Sequence, residues 1–151
     1  MTNPGWITPA RLQVDALPPT RAGLLTALLT ITAASRQLDR SARYIEDHDA
    51  ARAWRQCHRA TEHLASITPE PNGRPLVLPA PDPAEHDADV AGLRQLIGQA
   101  VALANELLDD TTRPLPAAHA TVIRRAQDLL IGATNHYRLA AAAPRAQAAV
   151  R

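Results

Sequence analysis

Apolar positions along this chain fall into four long runs of helical period, set apart by proline-rich stretches. The first run covers residues 20–39 and is marked by Leu24, Leu25, Leu28, Leu29, Ile31 and Leu38. At 100° per residue these span about half the circumference, wider than the roughly 100° stripe of a surface helix. Such a helix either lies centrally or has a second apolar partner. In the second run, about 41–67, Ala50, Trp54, Cys57, Thr61 and Leu64 recur at alternating spacings of four and three. That alternation marks one buried seam. Ala53, Ala60 and Ile67 widen it. The joint near Asp39-Arg40-Ser41 has neither Gly nor Pro, so a single long bent helix is the alternative to two helices there.

A third run, about 84–110, carries Val90, Leu93, Ile97, Ala100, Val101, Ala104, Leu107 and Leu108. Pro114 and Pro116 punctuate the following turn, and Pro116 suits a first helical turn. The fourth run presents Val122, Ile123, Ala126, Leu129, Leu130, Ala133, Tyr137 and Ala140, and Pro144 is expected to stop it. The predicted core comprises Leu28, Trp54, Cys57, Leu64, Leu93, Ile97, Leu107, Ala126, Leu130 and Ala133. No convincing strand pattern occurs.

The second pair of helices echoes the first. Ala22-Gly23-Leu24 returns as Ala91-Gly92-Leu93, 69 positions on, and Ala60-Thr61-Glu62-His63 returns as Ala133-Thr134-Asn135-His136, 73 positions on. The slip of four falls at the extra turn residues around 111–116. The expected fold is all-α, a four-helix bundle of two pseudo-repeated hairpins, 20–67 and 84–143, in one domain spanning 20–143. A proline-rich crossover, 68–83, joins them. Its apolar island Leu76-Val77-Leu78 is expected to lie on the bundle, and its stiffness suits a path from end to end. Residues 1–19, with Pro4, Pro9, Pro18 and Pro19, read as an extended arm, and 144–151 as a frayed tail.

Composition narrows the function classes. All sixteen basic residues are Arg, against fifteen acidic ones, and Phe is absent. Codon bias in a very GC-rich genome explains the Arg, Ala and Pro excess more simply than selection for anion binding does. A net charge of +1 lacks the footprint of a dedicated nucleic-acid or membrane-surface binder. The longest uncharged stretch, Ala22 to Ser35, is too short for a bilayer and holds four hydroxyls. A lone cysteine, Cys57, precludes an intrachain disulfide and fits a reducing cytoplasm. The N-terminus has neither the basic nor the apolar region of a signal peptide.

Catalytic and metal constellations fail on spacing. A di-metal bundle needs Glu-x-x-His, and no Glu here has His three residues on. His-Glu-x-x-His, glycine-rich phosphate loops and a nucleophile elbow are likewise missing. Cys57 lies on the buried seam, and His58 beside it points about 100° away, so the thiol reads as structural. His63 and His136 are equivalent in the repeat. They read as structural side chains near helix ends, although a repeat axis that joined them would form a pH-sensitive or metal-binding pair. Arg52, Arg55 and Arg59 share one helix face, with Arg36, Arg40 and Arg43 upstream. That face reads as solvated and balanced by Glu46, Asp47, Asp49 and Glu62.

The resulting expectation is a non-enzymatic interaction module with no cofactor and no metal, binding a protein partner or itself. Homodimerisation would cover the excess apolar arc of the first helix. Trp6, Leu25, Leu29 and the Arg52, Arg55, Arg59 face are the candidate contacts. The alternatives are a small-molecule-binding helical bundle, with a pocket among Ala, Thr and Leu side chains, and a nucleic-acid-associated regulator using the Arg face. Scarce aromatic residues argue against base stacking, so nucleic acid is the least favoured partner.

Overall fold

A computed structural model describes residues 5–41, 48–74, 76, 78–82 and 85–150, with Ser41, His48, His86 and the last twelve as backbone alone. Five α-helices pack together, and no strand occurs among the described residues. They are α1 (Thr8–Asp15), α2 (Arg21–Ser41), α3 (His48–Ala65), α4 (His86–Asp109) and α5 (Ala117–Val150). α3 packs on α5 and α2, α4 packs on α5 and α2, and α1 lies against α4 and α2.

The N-terminal segment corrects the expectation of an extended arm. Pro9 sits in the first turn of α1, where its missing amide has no helical acceptor to serve and its fixed φ suits the helix. The prolines therefore delimit a short helix instead of preventing one. Ile7, Ala10 and Val14 bury one side of this segment. α5 corrects a second expectation by continuing through Pro144 to Val150. The alanines on both sides have the highest helix propensity, which offsets the single lost amide bond.

Thr20 caps α2: its Oγ1 accepts from the Gly23 amide at 3.0 Å. α2 is buried almost all round, with Leu24, Leu25, Ala27, Leu28, Ile31, Ala34 and Leu38 in the core. Four of its hydroxyls attach it to different neighbours. Thr26 Oγ1 donates to the Asn72 carbonyl at 2.9 Å, and Thr30 Oγ1 donates to Gln13 Oε1 at 3.1 Å. Thr32 and Thr61 share a hydrogen bond at 2.8 Å. The Ser35 hydroxyl accepts from Tyr137 at 2.7 Å and donates toward Cys57 Sγ at 3.7 Å. Buried hydroxyls need such partners, and here they fix the position of the central helix. α3 and α4, with α1 and the crossover at the margin, thus cover the wide apolar arc of α2 within the chain.

The α3 seam is Ala50, Ala53, Cys57, Ala60 and Leu64, all buried. Trp54, expected in the core, is only half-buried. Its ring stacks on His58 with centroids 5.5 Å apart, and the Arg36 guanidinium lies 4.3 Å from the ring centroid. A seam of small side chains lets α5 approach closely, with Ala126, Leu130, Ala133 and Tyr137 facing it. A Cβ at Gly132 would stand 2.3 Å from Gln56 Oε1. The remaining predicted core residues are buried as expected.

The crossover runs the length of the molecule. The Ile67 carbonyl accepts from Arg21 Nη1 at 2.7 Å, and the same nitrogen contacts His119 Nδ1 at 3.1 Å. The end of α3 and the starts of α2 and α5 therefore meet at one pole. A short turn joins α4 to α5, so α4 starts at the opposite pole. On the way the Asn72 amide donates to Ala22, Gln13 Nε2 donates to the Arg74 carbonyl, and Trp6 Nε1 donates to the Pro79 carbonyl. Leu78 is buried and Leu76 packs on the core; Val77 lies outside the described residues.

Candidate functional site: a cleft beside the start of α4

Asp89 lies on the apolar stripe of α4, four residues before Leu93 and eight before Ile97. Helical geometry therefore turns its carboxylate inward. The residue is 3% exposed, and its Oδ2 has no hydrogen-bond partner among the described residues. Burial, and then the charges of Glu85 and Asp82, push its pKa from 3.8 to about 6. A buried carboxylate oxygen without a donor is costly, so this position calls for an explanation beyond packing.

The oxygen's surroundings supply one. A cleft of about 600 Å³ is walled by Trp6 and Ile7 of the N-terminal segment, Arg11 of α1, Pro79 and Pro81 of the crossover, and Asp89 of α4. Asp82 and Glu85 line it as well. Its rigid edge comes from close packing: a Cβ at Gly92 would come 2.4 Å from Ile7 Cγ2. Bonds from Gln99 Nε2 to the Arg11 carbonyl, 3.3 Å, and to Asp15 Oδ1, 2.8 Å, hold α1 alongside α4. The Trp6–Pro79 bond closes the third side.

Of the candidate contacts expected from the sequence, only Trp6 belongs to this cleft. Leu25 is buried and Leu29 is partly buried in the core, so neither presents a docking surface. Arg52, Arg55 and Arg59 are exposed on α3. Their expected acidic partners are engaged elsewhere: Glu62 pairs with His58 at 2.8 Å and Asp49 with His136 at 3.4 Å. Arg43, Glu46 and Asp47 lie outside the described residues. His63 and His136 do not meet. His136 touches Asp49 and Gln56, and His63 lies fourteen residues beyond Asp49 on α3, roughly 20 Å along the axis. No group of three potential metal ligands occurs among the described residues. Nor is any described helix long and apolar enough to cross a membrane.

The cleft's acidic residues are invisible to apolar periodicity, which ignores charged positions. A signal is present all the same: Asp89 interrupts the stripe in register with Leu93 and Ile97, and Glu85 precedes it by four. Comparison with known protein families, curated proteins and solved structures finds no match for this chain.

Proposed function

We propose that this protein is a small-molecule-binding helical domain whose ligand enters the cleft between the N-terminal segment, the crossover and α4. The observation that carries the reading is Asp89, a buried carboxylate with an unpartnered Oδ2, among the residues lining a cavity of about 600 Å³. Ligand pockets have volumes of roughly 300–1,000 Å³, apolar walls and a few inward polar groups. In this reading α2–α5 form a four-helix bundle of two pseudo-repeated hairpins. α1 and the crossover are the added parts that build the site. The two repeat glycines support that division, since Gly23 makes room for the Pro18 carbonyl and Gly92 for Ile7.

The test is a thermal-shift screen of the full chain with small molecules of mixed charge, repeated on Ala88→Trp, which fills the cleft from an exposed position. Hits that raise the melting temperature of the wild type and not of the variant support the reading. Hits equally active on both overturn it.

A second reading, docking of an acidic protein partner, rests on Arg52, Arg55 and Arg59. They stand exposed on one face of α3 with no ion pair among the described residues. Loss of a co-purifying partner on replacing all three with Gln would support it. The cleft is the stronger basis, because exposed arginines need no partner to be stable.

A further inference from the structure

We infer that the cleft beside α4 receives a small organic cation, an ammonium compound with an apolar body whose N–H groups donate to the Asp89 carboxylate. The inference rests on the cleft being a ligand site and adds the ligand's chemical class. Three carboxylates, Asp82, Glu85 and Asp89, line the cavity against one described cation, Arg11. An anion would meet net negative charge there. A neutral ligand would leave the ionised Asp89 uncompensated. An ammonium group supplies both missing elements, a donor for the carboxylate and a compensating charge, in a charge-assisted bond.

The rest of the wall argues for an organic cation over a bare metal ion. Trp6 and Pro79 present apolar surface, backed by the buried Ile7 and Pro81, and the volume far exceeds that of an ion. The carboxylates are also not grouped as metal ligands among the described residues. With the indole N–H of Trp6 committed to the Pro79 carbonyl, the aromatic ring is what remains to contact the ligand. Aromatic rings attract ammonium groups and their alkyl neighbours.

The test is calorimetric titration of the full chain with three probes of one shape: benzylamine, benzyl alcohol and benzoate. Magnesium chloride serves as a fourth. The expected result is that benzylamine binds about tenfold or more tightly than benzyl alcohol, and that Asp89→Asn reduces its affinity by about tenfold. That variant loses a buried charge, so its melting temperature should rise, which separates lost recognition from lost fold. Glu85→Gln, altered at an exposed position, should weaken benzylamine by a smaller factor. Equal binding of benzylamine and benzyl alcohol, both abolished by Ala88→Trp, would overturn the cation assignment while leaving the cleft as a ligand site. Binding of magnesium with no binding of benzylamine would overturn it in favour of a metal, and absence of binding by all four probes would overturn it outright.

Discussion

The Tyr137 hydroxyl donates to Ser35 Oγ at 2.7 Å, linking α5 to α2 across 102 residues of sequence inside the core. Ser35 passes the chain on to Cys57 Sγ at 3.7 Å on α3. Three helices thus share one buried polar thread. Tyr137→Phe should destabilise the protein by about 1 kcal/mol, the usual net value of one such bond. Ser35→Ala should cost more, about 1–3 kcal/mol, because it removes both the acceptor of the Tyr137 hydroxyl and the donor to Cys57. Urea denaturation of both single variants and the double variant checks this. The double variant should lose less than the two single losses added together.

Cys57 should be chemically silent in the folded protein. Burial pushes its thiol up to about 12, and thiolate is the reactive form. A thiol-specific reagent at pH 8 should label it only as fast as the protein opens globally, and labelling should accelerate in urea in step with unfolding. Rapid stoichiometric labelling of the native chain would contradict this.

Gly92 and Gly98 should respond oppositely to alanine. At Gly92 the new methyl meets Ile7 Cγ2, whereas at Gly98 nothing lies within 4 Å. Gly92→Ala should cost about 1–3 kcal/mol through overpacking and should loosen α1. Gly98→Ala should stabilise by up to about 1 kcal/mol through helix propensity. Thermal melts measure both, and amide exchange along Thr8–Asp15 reports the loosening.

Asp89 should make stability depend on pH in an uncommon direction. Its folded pKa of about 6 lies above its ordinary 3.8. Between those values the folded chain holds a proton that the unfolded chain has released. Acidification from pH 7 toward pH 4 therefore stabilises the fold through this group, and the penalty is fully present above pH 6. A tenfold change in proton affinity is worth about 1.4 kcal/mol, and solvent reaching the cleft holds the total to about 1–3 kcal/mol. Asp89→Asn should exceed the wild type in stability at pH 7, with the difference shrinking as the pH falls to 4. Urea titrations of both proteins across that range measure it.

Leu28→Ala and Ile97→Ala should each cost about 2–5 kcal/mol, since both side chains are fully buried on the central helices α2 and α4. Unchanged melting temperatures would show that these helices present other faces to the core.

Apolar spacing alone locates four of the five helices, because helical periodicity is a local property that survives in one dimension. Leu24, Leu28 and Ile31 in α2, and Leu93, Ile97 and Ala100 in α4, all face inward as their spacing requires. The same local logic fails at Trp54, whose spacing matches the seam but whose bulk suits the margin between Arg36 and His58. It fails again at α1, where Pro9 has the look of a breaker although its place in the first turn makes it a starter. Tertiary structure decides what no spacing records. The width of α2's apolar arc is compatible with a dimer or with an internal cover, and α3 and α4, helped by α1 and the crossover, bury that arc within the chain. The cleft joins Trp6, Pro79 and Asp89, segments more than seventy and more than eighty residues apart from the first. Its chemistry exists only once they meet, because the unpartnered state of a carboxylate oxygen is a property of everything packed around it.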